Sequence, residues 1–167
     1  IRDGWNMITN GPVADRVLLQ YKTAVEHLRQ QQYGEATSLL DAAIEVIQGR
    51  YGKDAGARKA RGYFASEESK RFIGEPYERS MAYYYRGLLY WQDGELDNAR
   101  ACFRSAQFED SDTEGNEYAG DFALLDYLDG LATFQLNGGG LDAFQRATNS
   151  ARLVIPESYR SVGNVLL

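Results

Sequence analysis

The sequence predicts an all-α fold in which pairs of antiparallel helices stack into an α-solenoid. Prolines are rare, with 3 in 167 residues, so long helices are permitted. Apolar residues recur at the i, i+3, i+4 and i+7 spacing of an amphipathic helix. A pattern of small and aromatic residues also returns along the chain, as it does in repeat proteins. The length fits one domain, residues 1–167.

The repeat is clearest in the stretch "YYRGLLYWQDGELDNARACFRSA". Its small and aromatic residues have the offsets of a tetratricopeptide helix–turn–helix unit: Gly87, Tyr90, Gly94, Ala99, Phe103 and Ala106. In such a unit, a small residue lets two helices approach, an aromatic residue fills the space beside it, and a glycine permits the turn. Weaker copies align on Ala36 and Ala143. The sequence therefore predicts three helical pairs, at about 15–48, 76–108 and 119–154.

Six helices are predicted within these pairs. They lie at about 15–31, 35–48, 76–92, 95–108, 119–136 and 141–154. The third helix has the most distinct start, because Pro76 is preorganised for the first helical turn. Glu75 and Glu78 complement the positive end of its dipole.

We also make predictions for the residues outside the helical pairs, which are the insert and the two ends of the chain. Residues 49–75 form an insert that is too long for an ordinary connection. The ending "VGNVLL" is apolar and rich in β-branched residues, which predicts that a strand-containing region follows. The chain begins with Ile1 rather than Met, so we expect a processed or trimmed piece of a longer protein.

The first helix of each pair carries apolar and aromatic residues in a common register. These residues, called the stripe below, are Leu18, Tyr21, Val25 and Leu28; Met81, Tyr84, Leu88 and Trp91; and Leu124, Tyr127, Leu131 and Phe134. In a tetratricopeptide superhelix, these offsets line the groove. The stripe is therefore a predicted binding site for an apolar or amphipathic protein segment, with Tyr84 and Trp91 as anchors. The alternative is that the stripe is core, because the usual packing positions, including Gln20, Thr23 and Asp129, are polar.

The insert supplies a second candidate site. Its first half carries five basic residues against one acid, Asp54: Arg50, Lys53, Arg58, Lys59 and Arg61. With Tyr63 and Phe64 nearby, the insert could serve an anion or small-ligand sensor. The other interpretation is a solvated loop that neutralises an acidic body. The net charge of −6 argues against a nucleic-acid partner.

A calcium loop is the weak metal candidate. Asp110, Asp112, Glu114 and Asp121 take offsets 1, 3, 5 and 12 of an EF-hand loop. Glutamate is too long at the third of these positions, and aspartate is a weaker bidentate ligand at the last. No other metal site and no cofactor are predicted.

The remaining reactive residues are predicted to be structural. His27 has no second histidine or cysteine near it in sequence, so we expect it to pack between helices. Cys102 adjoins Phe103 on an apolar face, which is typical of a small core residue. The carboxylates of Glu75 and Glu78 lie beside Arg79, but the sequence places no nucleophile or metal ligand with them. The chain is accordingly predicted not to be an enzyme.

One run of residues carries a family resemblance. Lys70, Phe72, Gly74, Glu75, Pro76, Tyr77, Glu78 and Arg79 precede a tyrosine-rich helix and the turn "GELDNAR". Together they resemble an uncharacterised family of bacterial envelope lipoproteins with tetratricopeptide-like repeats, over most of residues 15–167. The resemblance implies a periplasmic or outer-membrane location, with a membrane link only through a lipid on an N-terminal cysteine. It implies no particular activity.

Overall fold

The regular elements of the described chain are α-helices. The computed structural model describes residues 2–10, 15–51, 74–111 and 122–154, and no strand is present in these ranges. The seven helices are α1 (Arg2–Asn10), α2 (Arg16–Arg29), α3 (Tyr33–Tyr51), α4 (Pro76–Gln92), α5 (Leu96–Asp110), α6 (Ala123–Asn137) and α7 (Leu141–Val154). The predicted all-α class is confirmed. Helices α2 to α7 correspond to the six predicted helices, with the largest difference at α6, which was predicted from residue 119.

Helix α1 was not predicted, and it packs against α2. Gly4 lies directly on the side chain of Thr23. The indole Nε1 of Trp5 donates a hydrogen bond to Nε2 of His27 at 3.1 Å. The other ring nitrogen of His27 lies 2.7 Å from Oε1 of Gln32, so the buried imidazole has a partner on each side. The prediction that His27 packs between helices is confirmed.

Short connections join three pairs of helices. Residues 30–32 connect α2 to α3, residues 93–95 connect α4 to α5, and residues 138–140 connect α6 to α7. Each helix from α1 onward packs against the next one, and α2 also packs against α4. The first helices of the first two pairs are therefore neighbours.

Small residues allow the helices of each pair to approach closely. A Cβ atom on Gly87 would lie only 2.6 Å from the ring of Phe103, so the ring occupies the place where a side chain would be. Gly130 is covered in the same way by the ring of Phe144, with the nearest atom at 2.8 Å. In the first pair, the buried Ala24 and Leu40 share one apolar cluster. Each pair thus sets a small residue on its first helix against a larger one on its second.

Buried carboxylates are paired with arginines across the helices. Glu109 of α5 accepts a hydrogen bond from Nε of Arg79 of α4 at 2.7 Å, and both side chains are almost fully buried. Asp129 of α6 has no exposed surface, and Arg104 and Arg146 approach it at 3.0 and 3.1 Å. A buried carboxylate is tolerated only when such partners replace its hydration. These pairs fix the positions of α5 and α7 against their neighbours.

One turn residue adopts a backbone conformation that favours glycine. Gln31, between α2 and α3, has a φ of +59°, and Gly94, at the equivalent turn between α4 and α5, has a φ of +79°. The left-handed region costs a residue with a Cβ atom about 1–2 kcal/mol. The first turn therefore carries strain that the second avoids.

Substitutions at Gln31 and Gly94 test whether the first turn is strained and the second is not. We expect Gln31→Gly to raise the free energy of unfolding by about 0.5–1 kcal/mol, because relief of strain exceeds the extra chain entropy of glycine. Gly94→Ala should lower it by about 1 kcal/mol, since nothing within 4 Å obstructs the methyl group and only the backbone is strained. Urea unfolding followed by circular dichroism measures both. Changes of the same sign would contradict the assignment.

A methyl group added at Gly87 tests the close approach of α4 and α5. We expect Gly87→Ala to lower the free energy of unfolding by about 1–3 kcal/mol, because the ring of Phe103 must move. The matched control is Gly34→Ala near the start of α3, where nothing lies within 4 Å. That variant should be unchanged or more stable by up to about 1 kcal/mol, the helix preference of alanine over glycine. Equal losses in urea unfolding would show that the ring contact is not the cause.

Candidate functional site

The stripe is a partly exposed surface. Of its twelve residues, nine are partly buried and three are exposed: Leu124 at 40%, Tyr127 at 48% and Phe134 at 57%. The polar residues Gln20, Thr23 and Asp129 are buried as well, so the buried positions are not left to the stripe. The groove and the core alternative both stay predictions. An apolar and aromatic surface is thus available on the first helix of each pair.

The stripe rests on the core at its centre. Trp91 lies against Phe103, with ring centroids 5.9 Å apart, and it is only partly exposed. Tyr21, Tyr84 and Leu88 also pack against the main buried cluster. One side of each of these residues contributes to stability while the other faces outward. The side chains of the stripe are most exposed in the third pair. There the ring centroids of Tyr127 and Phe144 are 5.8 Å apart.

Aromatic rings connect the first helices of neighbouring pairs. Tyr21 of α2 stacks with Tyr85 of α4 at a centroid distance of 6.5 Å and an angle of 20°. Tyr85 meets Tyr84 edge-on at 5.1 Å, and Tyr84 lies 5.9 Å from Phe122, which precedes α6. Tyr85 and Phe122 were not predicted to belong to this surface. Among the three consecutive tyrosines, only Tyr83 lies apart, buried with its hydroxyl 3.4 Å from Nε2 of Gln48.

A group of tyrosines at α2 and α4 includes two, Tyr21 and Tyr77, that lie close to the carboxylate of Glu78. We call Tyr21, Tyr77, Tyr84, Tyr85 and Glu78 the tyrosine cluster. Burial, followed by the nearby Glu78 carboxylate, raises the pKa of Tyr21 from its ordinary 10.0 to about 12. The Glu78 carboxylate is the main cause of a raised pKa at the exposed Tyr77, and burial is the main cause at Tyr84. The negative charge of Glu78 therefore acts on Tyr77 and Tyr21, whereas burial is the main cause of the raised pKa at both Tyr21 and Tyr84.

The glutamates and arginine at the start of α4 have structural partners. The backbone N–H of Glu75 donates to Oε2 of Glu78 at 3.0 Å, which satisfies a donor at the beginning of the helix. Arg79 donates to the carbonyl oxygen of Gly74 at 2.7 Å, besides its bond to Glu109. Glu75 is exposed, whereas Glu78 and Arg79 are buried. This geometry explains the residues as the start of a helix anchored to α5.

A small open pocket with polar and apolar walls lies between α3, α4 and α5. It has a volume of about 230 Å³, and its walls include Asp41, Arg86 and Cys102. Arg86 donates to Asp41 at 2.7 Å and lies 3.6 Å above the ring of Tyr90. Burial raises the pKa of the Cys102 thiol to about 11, so the thiol is protonated at neutral pH and is a weak nucleophile. Cys102 is partly buried, close to the core position predicted for it.

Several predicted site residues lie outside the described residues. They are Lys53, Arg58, Lys59 and Arg61 of the basic insert, with Tyr63 and Phe64; Asp112, Glu114 and Asp121 of the calcium loop; and the ending "VGNVLL". The side chain of Arg50 is likewise not described. Asp110 is described: it is buried, and its Oδ2 lies 3.4 Å from the backbone N–H of Phe122. No group of three or more metal-ligating side chains is found in the described ranges.

Comparisons of the chain with protein-family models, with curated proteins and with solved structures give no match. Among the helices described, none is both long and apolar enough to cross a membrane.

The raised pKa of Tyr21 predicts a change in stability at alkaline pH. The unfolded chain loses this proton first as the pH rises, so the contribution of Tyr21 is complete below about pH 10 and is lost between pH 10 and 12. We expect the free energy of unfolding to fall less steeply over this interval in Tyr21→Phe than in the wild type. Urea unfolding at a series of pH values measures it. The difference between the two proteins should be constant below about pH 9; identical slopes at higher pH would contradict the prediction.

Proposed function

We propose that the chain is a tetratricopeptide-like solenoid module whose stripe binds an apolar or amphipathic segment of another protein. The observation that carries this proposal is the partial exposure of the stripe on all three first helices, although polar residues are buried behind it. Tyr127 and Phe134 expose about half of their surfaces and lie two turns apart on the same side of α6, with Leu131 between them. Contiguous exposed apolar surface of this kind commonly marks a site of protein interaction.

The helical pairing supports the solenoid part of the proposal. Helices pack in sequence order, and α2 also packs against α4, so the first helices of the first two pairs are adjacent in the stack. The rings of Tyr21, Tyr85, Tyr84 and Phe122 extend across the boundaries between pairs. A bound segment would therefore contact several pairs at once, which is how solenoids gain affinity.

The proposal assigns no catalytic role to the chain. The resemblance to envelope lipoproteins leads us to propose that it acts in the bacterial envelope, attached to the membrane only through a lipid if at all. The anion sensor remains a prediction, because most of its residues lie outside the described part of the chain.

Peptide selection tests the binding site. The full chain is used to select binders from a random phage library of helix-forming peptides, and enriched peptides are synthesised for calorimetric titration. We expect Tyr127→Ala to weaken their binding by about fivefold or more, because truncation of a central aromatic contact commonly costs over 1 kcal/mol. Tyr127 suits this test better than Tyr84 or Trp91, since its removal disturbs less of the core.

The matched control is Tyr33→Ala. Tyr33 is exposed to a similar degree, 41%, but it begins α3 and lies outside the stripe. Its truncation should leave peptide affinity unchanged, and circular dichroism should show both variants folded. Equal affinity for Tyr127→Ala and wild type, or the absence of any enriched peptide, would overturn the proposed function.

A further inference from the structure

Glu78 differs in its partners from two other buried carboxylates of the described helices, Glu109 and Asp129. It is only 7% exposed, yet its hydrogen bonds come from neutral donors: the backbone N–H of Glu75 at 3.0 Å and the hydroxyl of Tyr77 at 3.3 Å. Glu109 and Asp129, by contrast, both contact arginines. Within the described ranges, Glu78 forms no ion pair. The amino end of α4 offsets part of its charge but supplies no cation.

The tyrosine cluster presents aromatic faces of the kind that a cation prefers, and it meets Glu78 at Tyr21 and Tyr77. Tyr21 and Tyr85 stack at 6.5 Å, Tyr84 meets Tyr85 at 5.1 Å, and all three are partly exposed. Aromatic faces attract ammonium and guanidinium groups, most strongly where water is partly excluded. Burial is the main cause of the raised pKa of Tyr21, and the Glu78 carboxylate is the second cause. That carboxylate would stabilise a positive charge beside it. The apolar part of the stripe continues from this cluster along α4, through Leu88 to Trp91.

We propose that the segment bound by the stripe carries a lysine or arginine whose cationic group lies against the tyrosine cluster near Glu78. This inference rests on the proposed function and names the chemistry of its partner: a basic amphipathic segment, with apolar residues along the stripe and one cation at the start of α4. The net charge of −6 would also attract a basic segment from a distance. The cation supplies the partner that Glu78 lacks among the described residues.

Parallel peptide selections test the inference. The wild-type chain and Glu78→Gln are each used to select from the same library. We expect lysine or arginine to be enriched within an apolar pattern for the wild type, and not for Glu78→Gln. Glutamine preserves the helix start, because it serves at the third helical position as glutamate does. Glu45→Gln removes one charge from an exposed position on α3 and should select the same peptides as the wild type.

Affinities of one selected peptide complete the test. Replacing its basic residue by norleucine should weaken binding to the wild type by about tenfold, within the range of a partly desolvated cation–π contact. The replacement should have little effect on Glu78→Gln, which is the coupling expected of two groups in contact. The norleucine peptide tests the inference on the wild-type protein alone, even if Glu78→Gln does not fold.

The outcomes separate the two proposals. Selected peptides whose binding depends on Tyr127 but that carry no basic residue would overturn the inference. So would peptides that bind equally well when norleucine replaces the basic residue. Neither result would contradict the proposed binding site on the stripe. Enrichment of acidic residues at the cluster would overturn it as well. Peptides that are insensitive to Tyr127 would overturn the proposed function itself.

Discussion

The seating of an aromatic ring on a glycine is the contact on which the rest of this fold depends. Phe103 covers Gly87 and Phe144 covers Gly130, so a ring from the following helix lies directly on the backbone of α4 and of α6. This contact fixes which side of each first helix faces its pair. Because neighbouring residues on a helix point about 100° apart, the residue after each glycine, Leu88 or Leu131, is turned away from that contact. The partial exposure of the stripe follows from where the glycines are.

Charged groups complete the packing that small residues begin. Asp129 occupies a position where an apolar residue is usual, and its place is stable because arginines of α5 and α7 reach it. Such pairs contribute orientation more than net free energy, since desolvation offsets most of their attraction. Glu78 in the tyrosine cluster follows another arrangement, in which a buried carboxylate accepts from a backbone N–H and from one tyrosine hydroxyl. Asp129 thus joins helices through ion pairs, whereas Glu78 has no ion pair among the described residues.

The spacing of apolar residues predicted the six longer helices, because each of them buries one face along its whole length. It missed α1, whose attachment depends on Trp5 and His27, residues 22 positions apart. It left two alternatives for the buried face, because Gln20 and Asp129 look solvent-exposed by residue type. The arginines that allow Asp129 to be buried come from other helices, and no pattern within one helix shows them. Ring contacts between neighbouring pairs bring Tyr85 and Phe122 into the site. No spacing within one helix could show them.

The two tryptophans of the chain stand in unrelated surroundings. Trp5 links α1 to the imidazole of His27, whereas Trp91 lies at the boundary between the stripe and the ring of Phe103. Indole emission depends on local polarity and on nearby quenching groups, so each tryptophan reports a separate event. The fluorescence of Trp5 reports the attachment of the short helix α1. The fluorescence of Trp91 reports the second helical pair and a segment bound to it. When one tryptophan is replaced, the fluorescence of the other reports its own event alone, and no added dye is needed.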